Sequence, residues 1–124
     1  ARDAANRHIQ ALRIKTPDCL TQIKNLSGGN QQKVILGRWM EKQVKLFILD
    51  EPTRGIDVRA KGEIYKLIRD MADSGITIIV ISSEIEELLT LADRIMIMNG
   101  GKVKGVVVPN EDMEREDILK VALH

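Results

Sequence analysis

Two short clusters hold the residues of this chain whose types and spacing could do chemistry: Leu26-Ser27-Gly28-Gly29-Asn30-Gln31-Gln32 and, further along, Leu46-Phe47-Ile48-Leu49-Asp50-Glu51-Pro52. The first sets a hydroxyl and two residues without side chains ahead of a run of good helix formers. Free N–H groups and the positive dipole end of a helix N-terminus suit a phosphate, and glycine lets that phosphate approach closely. Taken alone, the cluster reads equally as an ordinary Ser-capped helix after a glycine turn. The second cluster places two carboxylates at the end of an apolar run, where Asp50 could hold Mg²⁺ through water and Glu51 could orient or deprotonate an attacking water. Alone, Asp50-Glu51-Pro52 also serves to end a strand with solvated charge and a proline. Four large apolar residues directly before the carboxylates argue for a site. Hydrolysis of a phosphoanhydride needs both parts, a held Mg²⁺ and an oriented water.

The elements that must position these groups follow from periodicity. Residues 2–12 have helical character, and Pro17 ends that region by restricting the residue before it. A helix starts near Gly29 and runs through residues 31–43, with Val34, Ile35, Leu36, Trp39 and Met40 as its apolar side. Leu46 to Leu49 are uniformly apolar, the pattern of a strand buried on both faces. In residues 58–74, Ile64, Leu67, Ile68 and Met71 recur at helical spacing, with Asp57 placed as N-cap and Gly75 as stop before the apolar run at 76–81. Strand, helix, strand at this spacing predicts a parallel crossover unit. Ser82 and Ser83 are placed to cap a helix over residues 84–92 with Ile85, Leu88 and Leu89 inward. A short strand at 95–98 turns at Asn99-Gly100-Gly101 into a hairpin partner over 103–108. Met71, Met96 and Met98 sit at core spacing. Pro109 breaks the last strand, and Asn110 is placed to cap a final helix with Glu111 and Asp112 in its first turn. The expected fold class is α/β, a mostly parallel sheet with helices and a terminal β-hairpin.

Bulk composition narrows the function classes. The 124 residues suit one domain or part of one. The 19 Lys plus Arg against 18 Asp plus Glu leave a net charge of +1 and no basic tract, which argues against a nucleic-acid partner. One cysteine, Cys19, closes no intrachain disulfide and fits a reducing compartment as a packed thiol. The longest apolar run, at 76–81, is far shorter than the roughly 20 residues of a membrane span, so membrane association would come through a partner.

The cluster Leu26 to Gln32, the strand leading to Glu51 and the loop Arg54-Gly55-Ile56-Asp57 stand in the order found in ATP-binding cassette proteins, and the chain resembles that family from residue 1 to about 108. The resemblance implies a P-loop NTPase-type fold, of which residues 1–124 are the C-terminal part of one cassette. It implies ATP and Mg²⁺ as cofactors. Ser27, Gly28, Gly29 and Asn30 become the signature that contacts the γ-phosphate of ATP held by another cassette. Asp50 becomes the Walker B aspartate, Glu51 the catalytic glutamate and Asp57 the D-loop aspartate at the dimer interface, a role compatible with capping. Asn30-Gln31-Gln32-Lys33-Val34, Thr53-Arg54-Gly55-Ile56-Asp57-Val58 and Leu12-Arg13-Ile14-Lys15-Thr16-Pro17 look like the second cassette of fused importers for ribose, galactose and xylose type sugars. The implied partners are a second cassette, integral membrane permease subunits and, indirectly, a periplasmic sugar-binding protein. The implied place is the cytoplasmic face of the inner membrane, peripherally bound. The competing function is a soluble cassette acting as a mechanical switch in translation or DNA repair. A third reading makes the chain an interaction piece that dimerises through an exposed sheet edge.

Two departures from the family pattern stand out. No Gly-x-x-x-x-Gly-Lys-[Ser/Thr] occurs, so a nest for the β- and γ-phosphates is expected, with the glutamine loop, in sequence preceding Ala1. The chain by itself is expected to show no ATP hydrolysis. The family histidine after the 76–81 strand is matched by Ser83, which can hydrogen-bond a phosphate but carries no switchable positive charge. Ser83 reads equally as a phosphate contact in a slow or degenerate site and as a helix cap.

Overall fold

A computed structural model describes residues 2–12, 14, 28–40 and 44–124, without the side chains of His8, Ala11, Trp39 and Met40. The expectations for Ser27, Pro17, Cys19 and the Trp39 and Met40 side chains lie outside the described residues. In chain order the elements are α1 (Arg2–Ala11), α2 (Gly28–Met40), β1 (Leu46–Asp50), α3 (Val58–Asp73), β2 (Thr77–Ile81), α4 (Ile85–Leu91), β3 (Ile95–Asn99), β4 (Lys102–Val107) and α5 (Arg115–Leu123).

The crossover unit organises the molecule. β1 pairs in parallel with β2, from Leu46 opposite Thr77 to Asp50 opposite Ile81, and α3 connects them. Helix α3 forms where expected because both of its ends are satisfied. Asp57 caps the start, its side chain accepting from the Ala60 N–H at 2.9 Å. At the other end Gly75 takes φ 105°, a left-handed residue that lets Gly75 N–H reach the Ala72 carbonyl at 3.1 Å and Ile76 N–H reach that of Met71 at 3.3 Å. Between these caps, Ile64, Ile68 and Met71 recur at helical spacing and are buried. Burial of a side chain such as Ile64, 0% exposed, contributes about 1.5–3 kcal/mol.

Two clusters cover one face of the parallel pair: Leu36, Phe47 and Met71, joined by Leu49 and Ile78, and Ile64, Ile68 and Leu91, joined by Leu49, Ile78 and Val80. The strand expected to be buried on both faces is not. Successive side chains alternate across a sheet, so Leu46 and Ile48 of β1 point away from these clusters and are 50% and 60% exposed. The same alternation corrects Met96 and Met98. In β3 it sends Ile95 and Ile97 into a third cluster with Ile118, while Met96 and Met98 face outward.

β3 and β4 form a separate antiparallel sheet, joined by a two-residue turn with Gly100 and Gly101 at φ 59° and 76°. The last helix begins later than expected. Asn110 accepts from Asp112 N–H with its side chain and from Met113 N–H with its carbonyl, making an Asx turn. Helix α5 starts after Glu114, whose N–H donates to Asp117 Oδ2 at 2.9 Å.

Candidate functional site

The acidic pair stands at the carboxyl end of β1, beside the carboxyl end of β2, where open parallel sheets bind ligands. Asp50 is the last residue of β1 and exposed. Glu51 breaks the strand: its N–H still donates to the Ile81 carbonyl at 2.8 Å, but its own φ is 49°. A non-glycine residue in the left-handed region costs of order 1–3 kcal/mol and persists where surrounding bonds overdetermine it. Arg54 N–H closes the turn on the Glu51 carbonyl at 3.1 Å, and Ser83 N–H donates to Glu51 Oε1 at 2.9 Å. The left-handed step turns the Glu51 side chain out of the strand's alternation and onto the loop that follows β2.

That contact comes from the backbone of Ser83, not from its hydroxyl. Its N–H holds Glu51, while the serine hydroxyl that meets the start of α4 is that of Ser82, which accepts from Glu84 N–H at 3.0 Å. Glu84 itself is the N-cap and makes no side-chain capping bond. The expected Ser82-Ser83 cap is therefore an interaction of Ser82 one residue earlier.

The glycines of the first cluster open α2 and pack against the loop carrying Asp57. Gly29 is buried, and a Cβ there would lie 2.7 Å from the Ala60 Cβ, so glycine is what allows α2 to approach α3 this closely. Asn30 is buried beside it. One helical turn on, Lys33, 2% exposed, pairs with Glu63 of α3. Gly29, Asn30, Lys33, Asp57 and Arg59 border one cleft of about 280 Å³. Asp50 borders another, of about 440 Å³, with Gln32, Ile35, Ile48 and Pro52. No residue lines both. The fold thus joins Gly29 and Asn30 to Asp57, and Glu51 to Ser83, while Gln32 of the glycine cluster borders the cleft of Asp50.

Glu87, Lys61 and Tyr65 are polar residues at this site that the sequence reading did not single out. Thr53, 1% exposed, and Ser82 both donate to the buried carboxylate of Glu87. Its inward position four residues before the buried Leu91 was the available signal. Lys61 donates to Glu84 at 2.9 Å, and that bond holds its ammonium above the usual lysine pKa. Burial raises the Tyr65 phenol above its usual value, against a hydrogen bond with Thr53 that lowers it. Among the described residues no three His, Cys, Asp or Glu side chains gather as a metal site. Two hard carboxylates suit Mg²⁺, which commonly takes one or two of them and completes its shell with water and phosphate oxygens.

The family model described as ABC transporter matches residues 2–54. The galactose/methyl galactoside import ATP-binding protein of Escherichia coli (strain K12) is 53% identical over 116 residues, which are 94% of this chain and 23% of that protein. The chain therefore spans about a quarter of the length of the curated relatives it matches. Among solved structures, an ATP-binding cassette of an ABC transporter superposes with TM-score 0.79 at 20% identity, over 96% of this chain and 48% of that one. A dimeric post-hydrolysis cassette bound to ADP and Pi does so with TM-score 0.73 at 21% identity, over 87% and 47%. These likenesses place the crossover unit and hairpin in the α/β fold of the cassettes. Sequence identity along nearly the whole chain carries the assignment further than fold, and the chain belongs to the ABC transporter ATPase family.

Proposed function

We propose that residues 1–124 are the C-terminal part of one cassette in the ATP-hydrolysing subunit of a bacterial simple-sugar importer, with the phosphate and glutamine loops in preceding sequence. The likeness to an import ATP-binding protein at 53% identity supports transport over the soluble mechanical switch in translation or DNA repair. ATP and Mg²⁺ are the cofactors. A second cassette and membrane permease subunits are the partners, with a periplasmic sugar-binding protein acting through the permease and no nucleic acid involved. The subunit binds peripherally at the cytoplasmic face of the inner membrane; no described helix is long and apolar enough to cross it.

The observation that supports the composite-site reading is that Gly29 and Asn30 border a cleft with Asp57, whereas Asp50 borders a different one. Gly28, Gly29 and Asn30, with Ser27, present helix-terminal N–H groups to ATP held by the partner cassette. Asp57, between that cluster and the helix it caps, links the two sites. Asp50 and Glu51 serve the ATP of their own cassette. Mg²⁺, held by Asp50 through water, would supply charge neutralisation on the phosphates. Glu51 orients the attacking water and takes its proton, with Oε1 fixed by Ser83 N–H and Oε2 left for the water. A serine at position 83 supplies no cation to the γ-phosphate, so this site turns over more slowly than its partner.

The test is hydrolysis by the full-length protein reconstituted with its permease, in a background whose other ATP site has been inactivated so that only this site is read. Glu51→Gln should lower turnover at this site by about 100-fold or more, the usual weight of a general base, with ATP still bound. Unchanged turnover in that variant would overturn the role of Glu51, and a lack of sugar-stimulated hydrolysis would overturn the importer assignment.

A further inference from the structure

The buried carboxylate of Glu87 has no part in the chemistry above, yet it touches both loops that carry it. Glu87 stands on α4, 2% exposed. Thr53 Oγ1 donates to its Oε1, and Ser82 Oγ donates to its Oε2. Thr53 lies inside the turn that Arg54 N–H closes on Glu51. Ser82 directly precedes Ser83, whose N–H holds Glu51 Oε1 at 2.9 Å. One carboxylate thus spends one oxygen on each loop, and the two loops meet at the Glu51 to Ser83 contact. From α3, Tyr65 hydrogen-bonds Thr53 and Lys61 feels the charge of Glu87.

An apolar side chain could fill this volume without the desolvation that a buried carboxylate incurs. What it could not do is accept from two hydroxyls on different loops. In a buried, low-dielectric setting such paired acceptors set the spacing between their donors. We propose that Glu87 is a positioning residue: it fixes the loop after β1 against the loop after β2, and so holds the left-handed Glu51 at the Ser83 amide. This rests on the reading of Glu51 as the catalytic glutamate.

Glu87→Met tests it with a side chain of similar length, since a thioether is only a weak acceptor and leaves both hydroxyls without the carboxylate, whereas a Gln carboxamide could still donate to one of them. Thr53→Val deletes one of the two donors at constant shape. Both are compared with Glu51→Gln in the full-length protein with its other ATP site inactivated, by steady-state ATP hydrolysis and by hydrogen exchange at the Ser83 amide. The expected result is a kcat lower by about 10-fold or more with KM for ATP within about 2-fold, since small misplacements near the reacting atoms can cost about 100-fold. Exchange at Ser83 should quicken about 10-fold in both variants while amides of α5 keep wild-type protection. Normal kcat in Glu87→Met, where Glu51→Gln is inactive, would overturn the positioning role and leave the reading of Glu51 standing. If Glu51→Gln is itself active, that reading fails, and exchange at Ser83 still decides whether Glu87 holds the loops: unchanged protection refutes it.

Discussion

Ser83 meets Glu51 through its backbone, the N–H donating to Oε1 at 2.9 Å. The side chain at position 83 is therefore not what positions the glutamate. Ser83→Ala should leave hydrolysis within about 3-fold, whereas Ser83→Pro, which deletes the N–H, should lower it about 10- to 100-fold. The latter range corresponds to one hydrogen bond to a charged acceptor, about 1.5–3 kcal/mol. Thermal unfolding of both variants separates this loss from misfolding. Ser83→His should raise turnover if the missing cation limits this site; no change would remove that explanation.

The glycine cluster gives a stability test that distinguishes its two glycines. A Cβ on Gly29 meets the Ala60 Cβ at 2.7 Å, whereas on Gly28 the nearest atom is 3.9 Å away. Gly29→Ala should force α2 from α3 and cost about 1–3 kcal/mol, read as a lower urea midpoint. Gly28→Ala should be neutral or stabilising by up to about 1 kcal/mol. Equal midpoints for the two variants would show that the helices do not approach this closely.

Alkaline stability follows from two groups on α3. Lys61, bonded to Glu84, and Tyr65, raised by burial, both hold their protons more tightly folded than unfolded. Their contribution is complete below about pH 10, near their ordinary values, and is lost as pH rises through the higher folded values. Melting temperature should therefore fall above about pH 10, and Tyr65→Phe should make that fall shallower because only the lysine remains. An identical slope in the variant would remove Tyr65 from the account. The half-buried Lys61 pair is still reached by solvent, so salt weakens its contribution.

Much of the crossover unit was legible because local signals agree. Asp57 and Gly75 bracket α3 with side-chain capping and a left-handed residue, and the apolar residues between them repeat at helical spacing; such signals depend on neighbours in sequence. Asn110 misled because asparagine caps helices and closes Asx turns with the same side-chain oxygen. Here the Glu114 and Asp117 pair placed the helix start beyond it. Leu46 and Ile48 read as core because apolar type records what a side chain tolerates, whereas burial requires a layer to cover it, and the described helices cover one face.

Residue type and order alone determined the family resemblance, the acidic end of β1 and the glycines opening α2, since motifs and periodicity are properties of the chain read in line. Only the tertiary structure decided which groups meet. Glu51 reaches an amide 32 positions away, Gly29 lies against Ala60, and Glu87 takes one hydroxyl from each of two loops. These contacts arise from parallel pairing and helix packing, which bring together residues that no sequence spacing relates.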